Sequence, residues 1–227
     1  MRKGLFVWGI AFYINFLFSP LPACSETPSA DIDISPEIIN NSPVLQRWRR
    51  KIPNVLSDIK NDPSFRTRVK LGYVNYPSNG QISGVLIGVE DIFLGKSGLT
   101  ISSEYQTSFN GDRQSFGTDL HYYLRPLGSY INIAPTVGYR YLETNDYTKS
   151  GVNLGAKLLL VLSRGGAADI SLAQSWVEPG SGRDVGLTTL SVGYAVTRRL
   201  RISTDIQRQS AREGKDSRVG VVLEWIP

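Results

Sequence analysis

Asp119-Leu120-His121 sets a carboxylate two residues from the only imidazole in the chain. On a β-strand such residues share a face, and a carboxylate beside an imidazole can orient it as a general base. Asp119 and His121 are therefore the candidate catalytic pair, for hydrolysis, beside the plainer reading of a histidine in a polar network. Gly95-Lys96-Ser97 has the ending of a phosphate-binding loop, but Glu90 stands where the first glycine belongs and Leu99 to Ser102 continues as a strand rather than a helix. It reads as a turn. Asp31-Ile32-Asp33 is a second carboxylate pair, far from the first in sequence. One His, one Cys and scattered carboxylates form no calcium-loop spacing, so neither a metal nor a cofactor is expected.

What must position Asp119 and His121 is a sheet. From Phe65 onward apolar residues recur every second position, interrupted by turn-rich gaps such as Pro77-Ser78-Asn79-Gly80, Asn110-Gly111-Asp112 and Pro179-Gly180-Ser181-Gly182. The pattern predicts strands over about 65–76, 81–93, 99–109, 114–125, 129–142, 151–163, 168–178, 184–197, 200–209 and 217–226. No helical stretch separates them, so the sheet is antiparallel.

One face carries Phe65, Val69, Leu71, Tyr73, Val85, Ile87, Leu158, Leu160, Val219, Val221 and their like on nearly every strand. The other carries Arg66, Arg68 and Lys70, Glu90, Glu104, Asp119 and His121, Arg140, Lys157, Asp169, Arg201 and Asp205, and Arg218 and Glu224. Two architectures fit. In a transmembrane barrel the apolar face meets lipid and the charges line the lumen; in a soluble, lipocalin-like barrel the apolar face is the core and holds an apolar ligand. Strands of about ten residues, aromatics near strand ends and an even strand count favour an all-β, up-and-down transmembrane barrel of about ten strands. The turns on the side away from the termini are expected to be as long as or longer than those beside them. Pro135 falls within the fifth strand, where a closed barrel offers no free edge for a missing N–H. Seven basic and six acidic groups on one face of so narrow a barrel predict a paired, largely filled lumen, and too few strands for a general porin.

The N-terminus reads as an export signal: Arg2 and Lys3, an apolar run of about 15 residues, then a small, Pro-rich stretch ending near Cys24, giving a signal peptide over 1–24. Leu21-Pro22-Ala23-Cys24 resembles a lipobox and makes Cys24 a candidate lipidation site; Ala23-Cys24-Ser25 would equally serve an ordinary signal peptidase. Without Arg2 and Lys3 the 25 Lys+Arg fall to a net charge of only about +3 against 20 Asp+Glu, which argues against nucleic acid. Residues 26–41 read as a flexible linker. Ser42-Pro43 opens an amphipathic helix running to about residue 60, kinked at Pro53, whose Arg47, Arg49, Arg50 and Lys51 could meet anionic lipid. The domains are thus 1–24, 25–62 and the barrel, 63–227.

Over residues 65 to 226 the chain resembles small bacterial outer-membrane barrels, and Ser217 to Ile226, with Trp225, is similar to the aromatic-ended closing strand that the barrel-insertion machinery recognises. Gly165–Val177 and Gly186–Arg201 resemble uncharacterised cyanobacterial outer-membrane proteins. Asp119-x-His121 resembles half of the omptin protease site, but the family's Asp-x-Asp half is missing from the strands. Lipid A deacylases carry His-x-Ser on one strand, and here Tyr123 follows His121 by two. The resemblance implies outer-membrane lipid and the insertion machinery as partners, small ions or solutes as cargo, and a narrow channel or a structural or binding role.

Overall fold

The computed structural model describes residues 36–50, 59–78, 80, 82–95, 97–163 and 165–227. The signal peptide, Cys24, Asp31, Asp33, Lys51, the Pro53 kink and Lys96 lie outside them, as do the side chains of 47–50. The chain divides at Ile52 and Pro53 into two units.

In the first unit α1 (Pro36–Asn41) and α2 (Pro43–Arg50) are helical. Ser42 caps α2: the Leu45 amide donates to its Oγ at 3.4 Å and the Gln46 amide to its carbonyl at 3.0 Å, with Pro43 at the first helical position. α1 corrects the linker reading of 26–41. Its Ser35-Pro36-Glu37 start repeats the Ser-Pro signature of α2 and puts an acid in the first turn, where the helix dipole favours it.

In the second unit the alternation yields ten strands: β1 (Arg68–Tyr76), β2 (Ile82–Phe93), β3 (Leu99–Ser108), β4 (Gln114–Tyr122), β5 (Ile131–Glu143), β6 (Thr148–Val161), β7 (Ala168–Val177), β8 (Val185–Ala195), β9 (Leu200–Ser210) and β10 (Lys215–Trp225). Each pairs antiparallel with its sequence neighbours, and β1 pairs with β10 to close the barrel.

The apolar face points out. Val152, Leu154 and Leu158 along β6, Leu162 just past its end, and Leu71, Ile87, Val137, Ile202 and Val221 elsewhere, are exposed, whereas Arg68, Lys70, Lys157, Arg201 and Arg218 are buried. This overturns the soluble alternative, which needs the apolar side chains inside. From Val152 to Leu162 is ten rises of about 3.3 Å, or roughly 23 Å once tilted by about 45°, close to the roughly 25 Å apolar band of a membrane barrel. Exposed aromatics mark both ends: Tyr122, Tyr130, Tyr194 and Trp225 beside the termini, Tyr73, Phe109, Phe116 and Trp176 at the other. On β7 to β10 the row Leu172–Leu190–Ile206–Val219 gives way to Gln174–Thr188–Arg208–Ser217 one step further from the termini, which sets the membrane boundary on that side.

Pro135 sits on the outer face, paired with Ala156 of β6. The β4–β5 ladder stops at His121↔Thr136, one residue short of it, and resumes where the Leu124 amide donates to the Ile133 carbonyl at 3.0 Å. Ile133 and Pro135 turn their backbone groups to the same side, so the missing N–H falls where the ladder lapses. Buried Asn132 bridges this gap, its Oδ1 accepting from the Arg125 amide at 3.0 Å. The turn lengths depart from expectation. The longest turn, 123–130, is beside the termini, because Thr148, Lys149 and Ser150 join β6 and consume the anticipated long connection after Glu143.

Candidate functional site

The site is the lumen, and parity along the strands builds it. Even positions of β1, β3 and β10 and odd positions of β4, β6, β7 and β9 turn inward. They bring together Arg68, Lys70, Glu104, Asp119, His121, Lys157, Asp169, Arg201, Asp205, Arg218 and Glu224; Glu90 of β2 and Arg140 of β5 join them. Arg66 does not. It precedes β1 and is exposed, because the chain bends there and sends Phe65 inward instead.

The charges form a lattice. Arg68 reaches Asp169 at 3.0 Å and Glu224 at 3.5 Å, and Arg201 grips the same two carboxylates at 2.8 and 3.0 Å. Glu90 takes Lys70 on one oxygen and Lys157 on the other, each at 2.6 Å. Further from the termini Arg218 meets Glu104 at 3.0 Å and Arg140 meets Asp119 at 2.7 Å.

The two-residue rule missed three buried charged residues, of which Asp91 joins this lattice. Asp91 is fully buried because a β-bulge between Val89 and Ile92 shifts the register, with Asp91 at φ 55°. Consecutive acids, Glu90-Asp91, were the available signal, since strict alternation would face one of them to lipid. Arg113 and Asp216 form a buried pair, and Arg113 also lies over the Tyr76 ring, 5.0 Å from its centroid. Asp216 falls one residue before the expected start of the last strand at 217, and extending the even parity of β10 back to it points it inward.

Apolar layers flank the charges. Beside the termini Phe65 packs on Tyr123 and Phe93, with ring centroids 4.6 and 5.4 Å away, and on Leu127, Ala134, Leu159 and Val161. Ser64 anchors this segment, its hydroxyl donating to the Leu127 and Ser129 carbonyls at 3.0 and 3.1 Å. Gly128 lets the 59–62 backbone approach: a Cβ there would stand 2.8 to 2.9 Å from three of its carbonyl oxygens. At the other end Val74, Tyr76, Leu86 and Val222 form one cluster and Leu142, Val177, Val185 and Leu187 another. Burial pushes the Tyr147 phenol, in a turn at that end, up to about 12, so it stays a neutral donor to Gln209 Oε1 at 3.1 Å.

Open space remains between these layers. A cavity of about 120 Å³ is bounded by Lys70, Glu104, Asp119, Arg140 and Arg218 on one side and by Ser171, Ala173, Thr189 and Ser191 on the other. A second, of about 60 Å³, shares Asp119, His121, Arg140, Ala173 and Thr189 with it. The larger lies along β7 and β8 where their inward residues, Ser171, Ala173, Thr189 and Ser191, are short and uncharged, and the smaller adjoins it. Arg140 Nε, Arg218 Nε and Gln207 Oε1 border this space as buried atoms with no hydrogen-bond partner.

Asp119 and His121 share the cavity wall, yet each is engaged elsewhere. Asp119 accepts from Arg140 and from Asn153 Nδ2, both at 2.7 Å, and His121 Nδ1 lies 2.8 Å from Thr136 Oγ1. The carboxylate that would orient the imidazole is thus occupied by a guanidinium and an amide. Among the described residues no cluster of three metal-ligating side chains occurs, and no helix is long and apolar enough to cross a membrane.

No family model matches the sequence, and no curated protein does. Among solved structures the chain is similar to the NanC porin (TM-score 0.44, 10% identity, 71% of this chain and 100% of that one). It is also similar to the KdgM porin (0.39, 13%, 70% and 98%) and to the calcium-bound outer membrane phospholipase (OMPLA) of Salmonella typhi (0.36, 11%, 75% and 96%). The resemblance to cyanobacterial proteins has no counterpart among these. The chain is a closed ten-stranded antiparallel barrel, and porins are among its structural neighbours.

Proposed function

We propose that this chain is an exported outer-membrane barrel that acts as a narrow channel, held closed near its termini by Phe65. The observation that carries this reading is the pair of adjoining cavities along the short-side-chain wall of β7 and β8, with the Arg68–Asp169–Arg201–Glu224 group and then the Phe65 cluster standing between them and the termini. A barrel with a purely structural role has no need of a continuous uncharged wall inside. The lumen charges near balance, with Arg68 and Lys70 both neutralised by carboxylates, which supports small polar solutes or ions with weak charge selectivity. The strand β10, alternating and ending in Trp225, supports recognition by the barrel-insertion machinery.

Planar-bilayer recording tests the channel. Wild type is expected to open rarely, and Phe65→Ala to raise the open probability several-fold. Silence from both proteins, with insertion verified by heat-modifiable migration, would replace the channel by the second reading, a structural barrel. The near-complete pairing of interior charges favours that reading.

A further inference from the structure

The two ends of the barrel differ in charge. Among the described residues of the segments beside the termini, Lys60, Arg66, Arg125, Arg198 and Arg199 are exposed and Asp62 is the only acid. At the opposite end the turns present Arg183 and Arg212 against Asp112, Asp146, Glu178, Asp184 and Glu213. The basic end also has a focus. Trp225, exposed on the lipid face, pairs with Leu200 of β9 and with Val69 of β1. Arg198 and Arg199 immediately precede Leu200, Arg66 stands three residues before Val69, and the Ile226 amide donates to the Arg199 carbonyl at 2.8 Å.

We propose that Arg66, Arg198 and Arg199, grouped around Trp225, form a binding site for anionic phospholipid headgroups in the leaflet beside the termini. An interfacial tryptophan sits at headgroup depth, so arginines one to three residues beyond its strand partners are level with the lipid phosphates. Guanidinium groups match phosphate oxygens in geometry as well as charge. None of the three takes part in the lumen lattice, and the neighbouring acids Asp169 and Glu224 are committed to Arg68 and Arg201 inside the barrel. The inference rests on the membrane reading above and adds a lipid class and a leaflet to it.

The test uses tryptophan quenching in vesicles carrying equal mole fractions of brominated phosphatidylglycerol or brominated phosphatidylcholine. The Trp225 signal is taken as the difference between wild type and Trp225→Phe. Phosphatidylglycerol is expected to be enriched at Trp225 on the order of fivefold, the effect of a basic group near an anionic surface. The enrichment should disappear in the triple variant R66Q/R198Q/R199Q, and in about 1 M salt, where the screening length falls to roughly 3 Å. Equal quenching by the two lipids in wild type overturns the site while leaving the barrel in the membrane. Absence of a heat-modifiable band from either vesicle overturns the membrane reading itself. An enrichment that survives the triple substitution assigns it to the bilayer surface and removes these arginines from the proposal.

Discussion

Asp91 joins several parts of the interior. Its Oδ1 accepts from Thr100 at 3.0 Å and Tyr123 at 2.9 Å, its Oδ2 lies 3.3 Å from Lys157, and its amide donates to Ser102 Oγ at 3.0 Å. Asp91→Asn keeps the positive φ, which Asn tolerates, and most of these bonds. Asp91→Ala loses the three side-chain contacts and leaves Lys157 short of a partner. Urea titration of the folded barrel should therefore rank wild type above Asn and Asn above Ala, the Ala variant losing about 3–5 kcal/mol. Arg201→Met, which strips one cation from Asp169 and Glu224, should cost a similar amount in the same titration. His121→Ala removes only the contact with Thr136, so about 1 kcal/mol of stability is expected to go. Hydrolytic turnover that disappeared with it would reinstate the catalytic pair. The parity rule made most inward residues legible in the sequence. Asp91 escaped it because a bulge inserts a residue without changing composition, and Arg66 because parity holds only inside a strand.

Among the elements, all ten strands were readable because each strand here has one lipid-facing side, which imposes a strict period of two. Their ends were less so. Polar residues such as Thr148 and Asp216 extend strands past the apolar band, where no hydrophobic signal marks them. Close packing inside the strands is carried by glycines. A Cβ at Gly138 would collide with the Thr118 carbonyl and the Asp119 carboxylate. Gly138→Ala is accordingly expected to weaken the β4–β5 ladder and the Arg140–Asp119 pair together. Hydrogen exchange would show it as faster exchange along β4 and β5 than along β8 and β9, and uniform exchange would refute it.

For the molecule as a whole, two levels of the lumen make different demands. Phe65→Ala should cost about 3 kcal/mol of stability, within the range for deleting a buried aromatic, and at the same time raise conductance. Arg201→Met, by contrast, should destabilise without opening the terminus-side mouth. A single-channel recording paired with a urea titration separates these effects. Inside-out polarity was the one global feature that alternation left open, since an apolar face looks the same in sequence whether it meets lipid or a core. The location of the open space was hidden too, because it depends on which strands contribute short residues and where those strands lie around the closed sheet.

The seam between β1 and β10 also governs how the barrel comes into being. Glu224 lies on the closing strand β10, and its partners Arg68 and Arg201 come from the first strand and the ninth. The most distant contacts in sequence therefore coincide with the ones that neutralise the interior. A nascent chain lacking its final strand holds Arg68 and Arg201 without that carboxylate and has an unpaired edge on either side. Assembly of this kind has high contact order and is slow. The buried charges of β1 and β9 therefore reach their full set of partners only when β10 closes the sheet.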